Sequence, residues 1–168
     1  MGWYALTCEP GREEWVKDSC KRHLPAPALE DAFLFSYERM KKYLGQWHAD
    51  TCRMFPGYVF LQSSCPELLP EAVVHLQRMS FISGRGMQII PVEEETKKQI
   101  RALCGERRHM ALSRGSVRDG RFFAVSGPLA GRENLIARVD LHKRVAVLNL
   151  RLAESDLPAW AGIDLGKK

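Results

Sequence analysis

The sequence predicts an α+β protein in two parts, an α/β sandwich over residues 1–105 and a small, strongly bent β-barrel over residues 118–168. Three observations carry this expectation. Residues 1–105 alternate short aromatic or β-branched runs with helical segments, in the order β-α-β-β-β-α-β-α. Residues 122–150 instead hold three short apolar runs (122–125, 135–139 and 145–150) separated by Gly-Pro and charged corners, the spacing of a small barrel. Between the two parts, residues 106–117 lack an apolar period and end in Gly and Ser, which reads as a linker.

Trp3–Cys8 is aromatic and apolar and reads as the first strand. Pro10-Gly11 opens a helix with acids in its first turn (Glu13, Glu14) and bases at its end (Lys17, Lys21, Arg22), a polarity that complements the helix dipole. Trp15, Val16 and Cys20 are expected to form its buried stripe, and Pro25 and Pro27 end it. Phe33–Arg39 reads as a second strand, and Met40–Arg53, basic and aromatic around Gly45, as an exposed hairpin arm. In Phe55-Pro-Gly-Tyr58 the proline presets φ for the second position of a tight turn and Gly57 supplies the positive φ of the third; Tyr58–Leu61 is the strand that follows. A helix over 66–79 places Leu69, Val73 and Leu76 on one side. A strand at Met87–Ile90 and a helix at Glu93–Leu103, with Ile100 and Leu103 inward, complete the first part.

Charge is distributed unevenly. The net charge of +5 is matched by residues 113–151 alone, where eight Lys/Arg stand against three Asp/Glu. A basic module of this size is the electrostatic footprint of a partner bearing phosphates. Five scattered cysteines, odd in number and without a Cys-x-x-Cys pair, indicate reduced thiols and a cytoplasmic protein. No His/Cys group has zinc spacing, so no metal is expected, and no window approaches a membrane span or a signal peptide. Catalysis finds no support. Glu93–Glu95 is a helix first turn, Gly84-Arg-Gly86 falls short of a phosphate loop, and Ser113 and Ser126 lack a nucleophile elbow. No cofactor is implied.

Taken together, Trp3-Tyr4, Phe55-Pro-Gly-Tyr-Val-Phe60, Gly127-Pro-Leu-Ala-Gly-Arg-Glu133, Val139-Asp140 and Lys143-Arg144 resemble the NusG family of transcription elongation factors. The resemblance runs from Trp3 to about Leu165. It implies an NGN domain, an antiparallel sheet with flanking helices, and a KOW domain, an SH3-like β-barrel. The Gly-Pro-Leu-x-Gly-x-Glu and Asp-x-His-Lys-Arg patterns are most similar to specialised paralogs, in particular the LoaP antiterminators. The sequence departs from the KOW pattern at Asn134, where a glycine is usual; asparagine tolerates a left-handed backbone, so the turn is expected to survive. The His-Thr-Thr tripeptide of RfaH-type paralogs is not evident.

The resemblance implies a monomeric bacterial regulator that binds the clamp helices of the RNA polymerase β′ subunit and promotes processive antitermination. Trp3, Tyr4, Phe55, Pro56, Gly57, Tyr58 and Phe60 are the expected polymerase-binding residues, against sheet core as the plainer reading of the aromatics. Arg132, Arg138, His142, Lys143, Arg144 and Arg151 are the expected contacts to a nascent RNA hairpin, against a solvated face for any one of them. Arg78 and Ser80 are expected near the non-template DNA strand, whereas Lys41 and Lys42 read as plain surface. The alternative is a general NusG-type factor whose KOW domain binds a ribosomal protein or Rho. A ribosome-associated structural protein is a third reading, opposed by the N-terminal Phe55-Pro-Gly-Tyr58.

Overall fold

The computed structural model describes residues 2–79, 87–153 and 155–166. It has a mixed α+β fold in two compact units, Met1–Leu34 with Pro56–Glu94, and Phe35–Phe55 with Glu95–Lys168. This division differs from the expected one, because the hairpin arm and the third helix group with the C-terminal strands.

In the first unit, β1 (Gly2–Thr7), β2 (Asp31–Phe33), β5 (Tyr58–Ser63) and β6 (Ile89–Val92) form a sheet in the order β2-β5-β1-β6. All three pairings are antiparallel. Pro91 is accommodated because β6 is an edge strand. Among its described residues this unit has the helices α1 (Glu13–His23) and α2 (Leu69–Met79), the second entered through a 3₁₀ turn at Pro66–Leu68. The Gly11 N–H donates to the Glu13 carboxylate at the start of α1. Val16 and Cys20 of α1 and Leu69, Val73 and Leu76 of α2 join Leu6, Ala32, Val59 and Leu61 of the sheet in one core. Trp15, expected in that stripe, is instead 41% exposed, with the Arg12 guanidinium 5.0 Å from its ring. It lies one residue, about 100° of helix, away from the Val16 face.

The second unit joins two sheets. One is the antiparallel hairpin of β3 (Ser36–Tyr43) and β4 (Gln46–Arg53), extended by the parallel strand β7 (His109–Met110) in the order β4-β3-β7. Leu44 (φ 51°) and Gly45 (φ 78°) make its two-residue turn, both in the left-handed region that a twisted hairpin requires. The other sheet contains β8 (Ser113–Arg118), β9 (Arg121–Ser126), β10 (Ile136–Asp140), β11 (Val145–Leu152) and β12 (Ser155–Asp164), in the order β10-β11-β12-β8-β9. The end strands β10 and β9 approach one another without laddering, so the barrel is not closed by hydrogen bonds. Helix α3 (Glu94–Cys104) buries Ile100 and Leu103 as expected, and its Thr96 Oγ1 donates to the Arg151 carbonyl at 2.8 Å.

Several expectations change here. The strand expected over Phe33–Arg39 is two strands in different sheets, broken at Leu34-Phe35; Phe35 is buried edge-on to Phe55 at 5.7 Å. The segment expected as a linker carries β7 and most of β8, because its missing apolar period conceals strands anchored by backbone pairing, by Ser36 Oγ against His109 Nδ1 at 2.8 Å, and by the buried Ser113. Asn134 lies in a right-handed 3₁₀ turn, Glu133–Leu135, and the left-handed positions in this stretch are Gly127 and Gly131. Pro158 masks β12, yet opposite Asn149 the strand is laddered on one side only.

Candidate nucleic-acid interface

The expected aromatic polymerase site is split by the sheet of the first unit. Tyr4 pairs with Leu61 and Leu6 with Val59, so Tyr4 lies on the face that packs against α1 and α2. Tyr58 pairs with Thr7 and Phe60 with Ala5, placing both on the opposite face with Trp3 and Phe33. On that face Trp3 meets Phe33 edge-on at 5.2 Å and Phe33 stacks on Phe60 at 6.2 Å; all three are buried. Phe55 is buried as well, whereas Tyr58 is half-buried and Pro56 exposed. Gly57 adopts φ 88°, and its carbonyl accepts the Cys8 N–H at 2.9 Å; an added Cβ would lie 3.3 Å from the Cys8 carbonyl. The motif therefore builds a tight turn that leaves Pro56 and Tyr58 accessible. Arg78 is exposed on the last turn of α2, and Ser80 lies outside the described residues, as does Gly84-Arg-Gly86.

The cations of the second unit gather where the hairpin arm meets the corner between β10 and β11. That corner is built by Asp140, whose carboxylate accepts the Lys143 N–H at 3.0 Å. This bond, followed by the Lys143 charge and the His142 N–H, holds the Asp140 carboxyl below the usual range. Arg144 closes the corner in the left-handed region (φ 55°), and its carbonyl accepts the Ile163 N–H at 3.1 Å.

The arm seats on β12. Trp160 N–H donates to the Met54 carbonyl at 3.1 Å, and at Gly162 an added Cβ would fall 1.9 Å from the Glu38 carbonyl oxygen. Arg39 Nε donates to the Lys143 carbonyl at 3.2 Å, and the Arg144 guanidinium lies 5.0 Å from the centre of the Trp47 ring. Lys42 Nζ approaches the same ring at 5.9 Å. The result is a groove of about 660 Å³ lined by Arg39, Lys41, Lys42 and Trp47 of the arm and His142, Lys143 and Arg144 of the corner. Lys41 pairs with Asp50 at 3.6 Å, an exposed contact that contributes little. Convergent cations beside an accessible aromatic ring suit phosphates and bases.

Of the six expected RNA contacts, His142, Lys143 and Arg144 share this groove. Arg138 lines a second groove of about 440 Å³ with Arg121 and the exposed Phe123. Arg132 donates to the Pro128 carbonyl at 3.2 Å and steadies its own loop, and Arg151 faces Asp156 at 3.7 Å. Arg39, Lys41, Lys42 and Trp47 were not foreseen as partners of the corner. The available signal was the basic, aromatic composition of the arm; the seat on β12 that brings it to the corner has no local signature. Among the described residues, no group of three His, Cys, Asp or Glu side chains could hold a metal, and no helix is long and apolar enough to cross a membrane.

The described residues thus form an α+β chain whose second unit carries a basic, aromatic groove. A family model described as transcription termination factor nusG matches residues 1–101, more than half of the chain. The chain belongs to the NusG family of transcription factors. Among solved structures it is similar to one titled "Domain interaction in Thermotoga maritima NusG", at 18% identity and a TM-score of 0.43, over 96% of this chain and 93% of that one. No curated protein matches the chain.

Proposed function

We propose that this protein is a bacterial transcription elongation regulator that binds RNA polymerase and promotes processive antitermination, with its basic C-terminal region, a KOW domain, capturing a hairpin in the nascent RNA. The observation that carries this reading is the groove in which Lys143 and Arg144 meet Arg39, Lys41 and Lys42. Helical RNA is read through shape, phosphates and 2′-hydroxyls, and unpaired loops through their bases, so clustered cations beside an aromatic ring fit a stem-loop. Polymerase binding through the clamp helices of β′ is assigned to the accessible part of the aromatic turn, Pro56 and Tyr58, and Arg78 to the neighbourhood of the non-template strand. A ligand that favours the closed, elongating polymerase shifts the population away from paused and terminating states. The experiment is transcription by purified polymerase through an intrinsic terminator, with and without the protein, on templates encoding the leader RNA. Readthrough that requires both protein and leader is expected; no readthrough refutes the proposal.

A second reading gives the C-terminal region a protein partner, a ribosomal protein or Rho. It is favoured by Phe123 and Val125, which are exposed on β9 at 48% and 82%. Such a contact would be mainly apolar and would change little with salt, whereas RNA binding falls steeply as salt rises.

A further inference from the structure

We infer that Trp47 is a stacking platform for an unpaired RNA base, and that Lys42, Lys143 and Arg144 take the phosphates flanking that base. The inference rests on the RNA reading above and adds to it a site on the hairpin arm. Trp47 sits on β4, where residues 46–51 are all exposed, so it is no part of a core, and 41% of its surface remains open. Tryptophan is among the residues most buried on average, and an accessible ring fixed among cations is the arrangement used to hold single-stranded nucleic acid.

Its position is fixed from outside the strand. Gly162 lets the Glu38 backbone approach β12, and Arg39 ties the arm to the Lys143 carbonyl, so the ring is held beside the basic corner before any ligand arrives. Preorganisation of this kind removes an ordering cost from binding. Five cations line the groove, Arg39, Lys41, Lys42, Lys143 and Arg144, against the two carboxylates that contact them, Asp50 and Asp140, so the surface is net basic. Lys42, at 5.9 Å near the outer limit of about 6 Å for a cation–π contact, can move to a phosphate when a base covers the ring.

The competing role for Trp47 is a staple that only pins Arg144 and the arm. The test uses the full chain with two labelled probes, a short single-stranded oligoadenylate and a blunt RNA duplex of equal length, measured by fluorescence anisotropy at low salt. Trp47→Ala is expected to weaken oligoadenylate binding about tenfold, Trp47→Phe to restore most of it, and duplex binding to change less than about twofold. Equal losses on both probes assign the ring to the staple role and overturn the platform, as does an unchanged affinity for oligoadenylate. If the unaltered protein binds both probes and Trp47→Ala has no effect, the RNA reading stands and the platform alone falls. If the unaltered protein binds neither, the RNA reading has itself failed and the platform falls with it.

Discussion

Gly162 is where a single methyl group tests how the candidate interface is assembled. Gly162→Ala would place Cβ 1.9 Å from the Glu38 carbonyl oxygen and 2.9 Å from Leu112 Cδ2. An ordinary carbon–oxygen contact is about 3.3 Å, so β3 and β12 must separate by roughly 1.4 Å. The obstacle is backbone and cannot rotate aside. Overpacking of this kind costs about 1–3 kcal/mol, and strain on the neighbouring bond from Trp160 N–H to the Met54 carbonyl adds about 1 kcal/mol. A total near 3 kcal/mol lowers Tm by about 6–12 °C for a chain of this size. Circular dichroism melts of the two proteins provide the assay, with Gly131→Ala as the control. Gly131 has φ 79° but nothing within 4 Å, so its substitution carries backbone strain alone, about 1–2 kcal/mol. Gly162→Ala should also weaken RNA binding without touching the ligand, because the arm loses its seat beside Lys143 and Arg144. A Gly162→Ala protein that melts no lower than Gly131→Ala would refute the reasoning.

Further outcomes are expected from other positions. Lys143→Ala and Arg144→Ala should each lower RNA affinity and reduce the slope of log K against log salt by about 0.7–0.9 for each phosphate no longer neutralised; an unchanged slope removes the residue from the interface. Asp140 has a folded pKa below its ordinary value, so the contribution of its bond to Lys143 is present above the unfolded pKa and is lost as pH falls through the folded one. The Lys143 amide shift should accordingly titrate with a midpoint below 3.8, and a midpoint at or above that value contradicts the corner geometry. Burial pushes the Cys20 and Cys104 thiols up to about 12, so in the native protein at pH 8 both should resist iodoacetamide while the half-buried Cys8, Cys52 and Cys65 react, as read by mass spectrometry. Tyr58→Ala should reduce recovery of the protein with RNA polymerase, whereas Tyr4→Ala should chiefly lower Tm, since Tyr4 packs on the helix side of the sheet. Equal polymerase losses from both would refute that division.

The elements most legible in the sequence were those with a local physical cause. The α2 stripe of Leu69, Val73 and Leu76, the Pro56-Gly57 turn and the arm around Gly45 all follow from periodicity or from a required positive φ. Strands without a local cause were missed. The turn between β8 and β9 has a local cause as well, since Asp119 (φ 51°) and Gly120 (φ 75°) form a two-residue hairpin turn of the Asp-Gly type. At the candidate interface the sequence placed His142, Lys143 and Arg144 together, because they are consecutive. It scattered Arg132, Arg138 and Arg151 into the same patch on charge alone, and their surroundings separate them.

By itself the sequence determined the α+β class, the concentration of positive charge in residues 113–151, and the family, whose model matches residues 1–101. These are properties of composition and short-range order, and they survive without knowledge of contacts. The tertiary structure alone decided which charges act together. Lys41, Lys42 and Trp47 join Lys143 and Arg144, about a hundred residues away, because Gly162 has no side chain and Glu38 can approach β12. It also decided which aromatics share a face. Pairing register sends Tyr4 and Tyr58 to opposite faces of one sheet, and register is fixed by the burial of whole strands, which no local motif encodes.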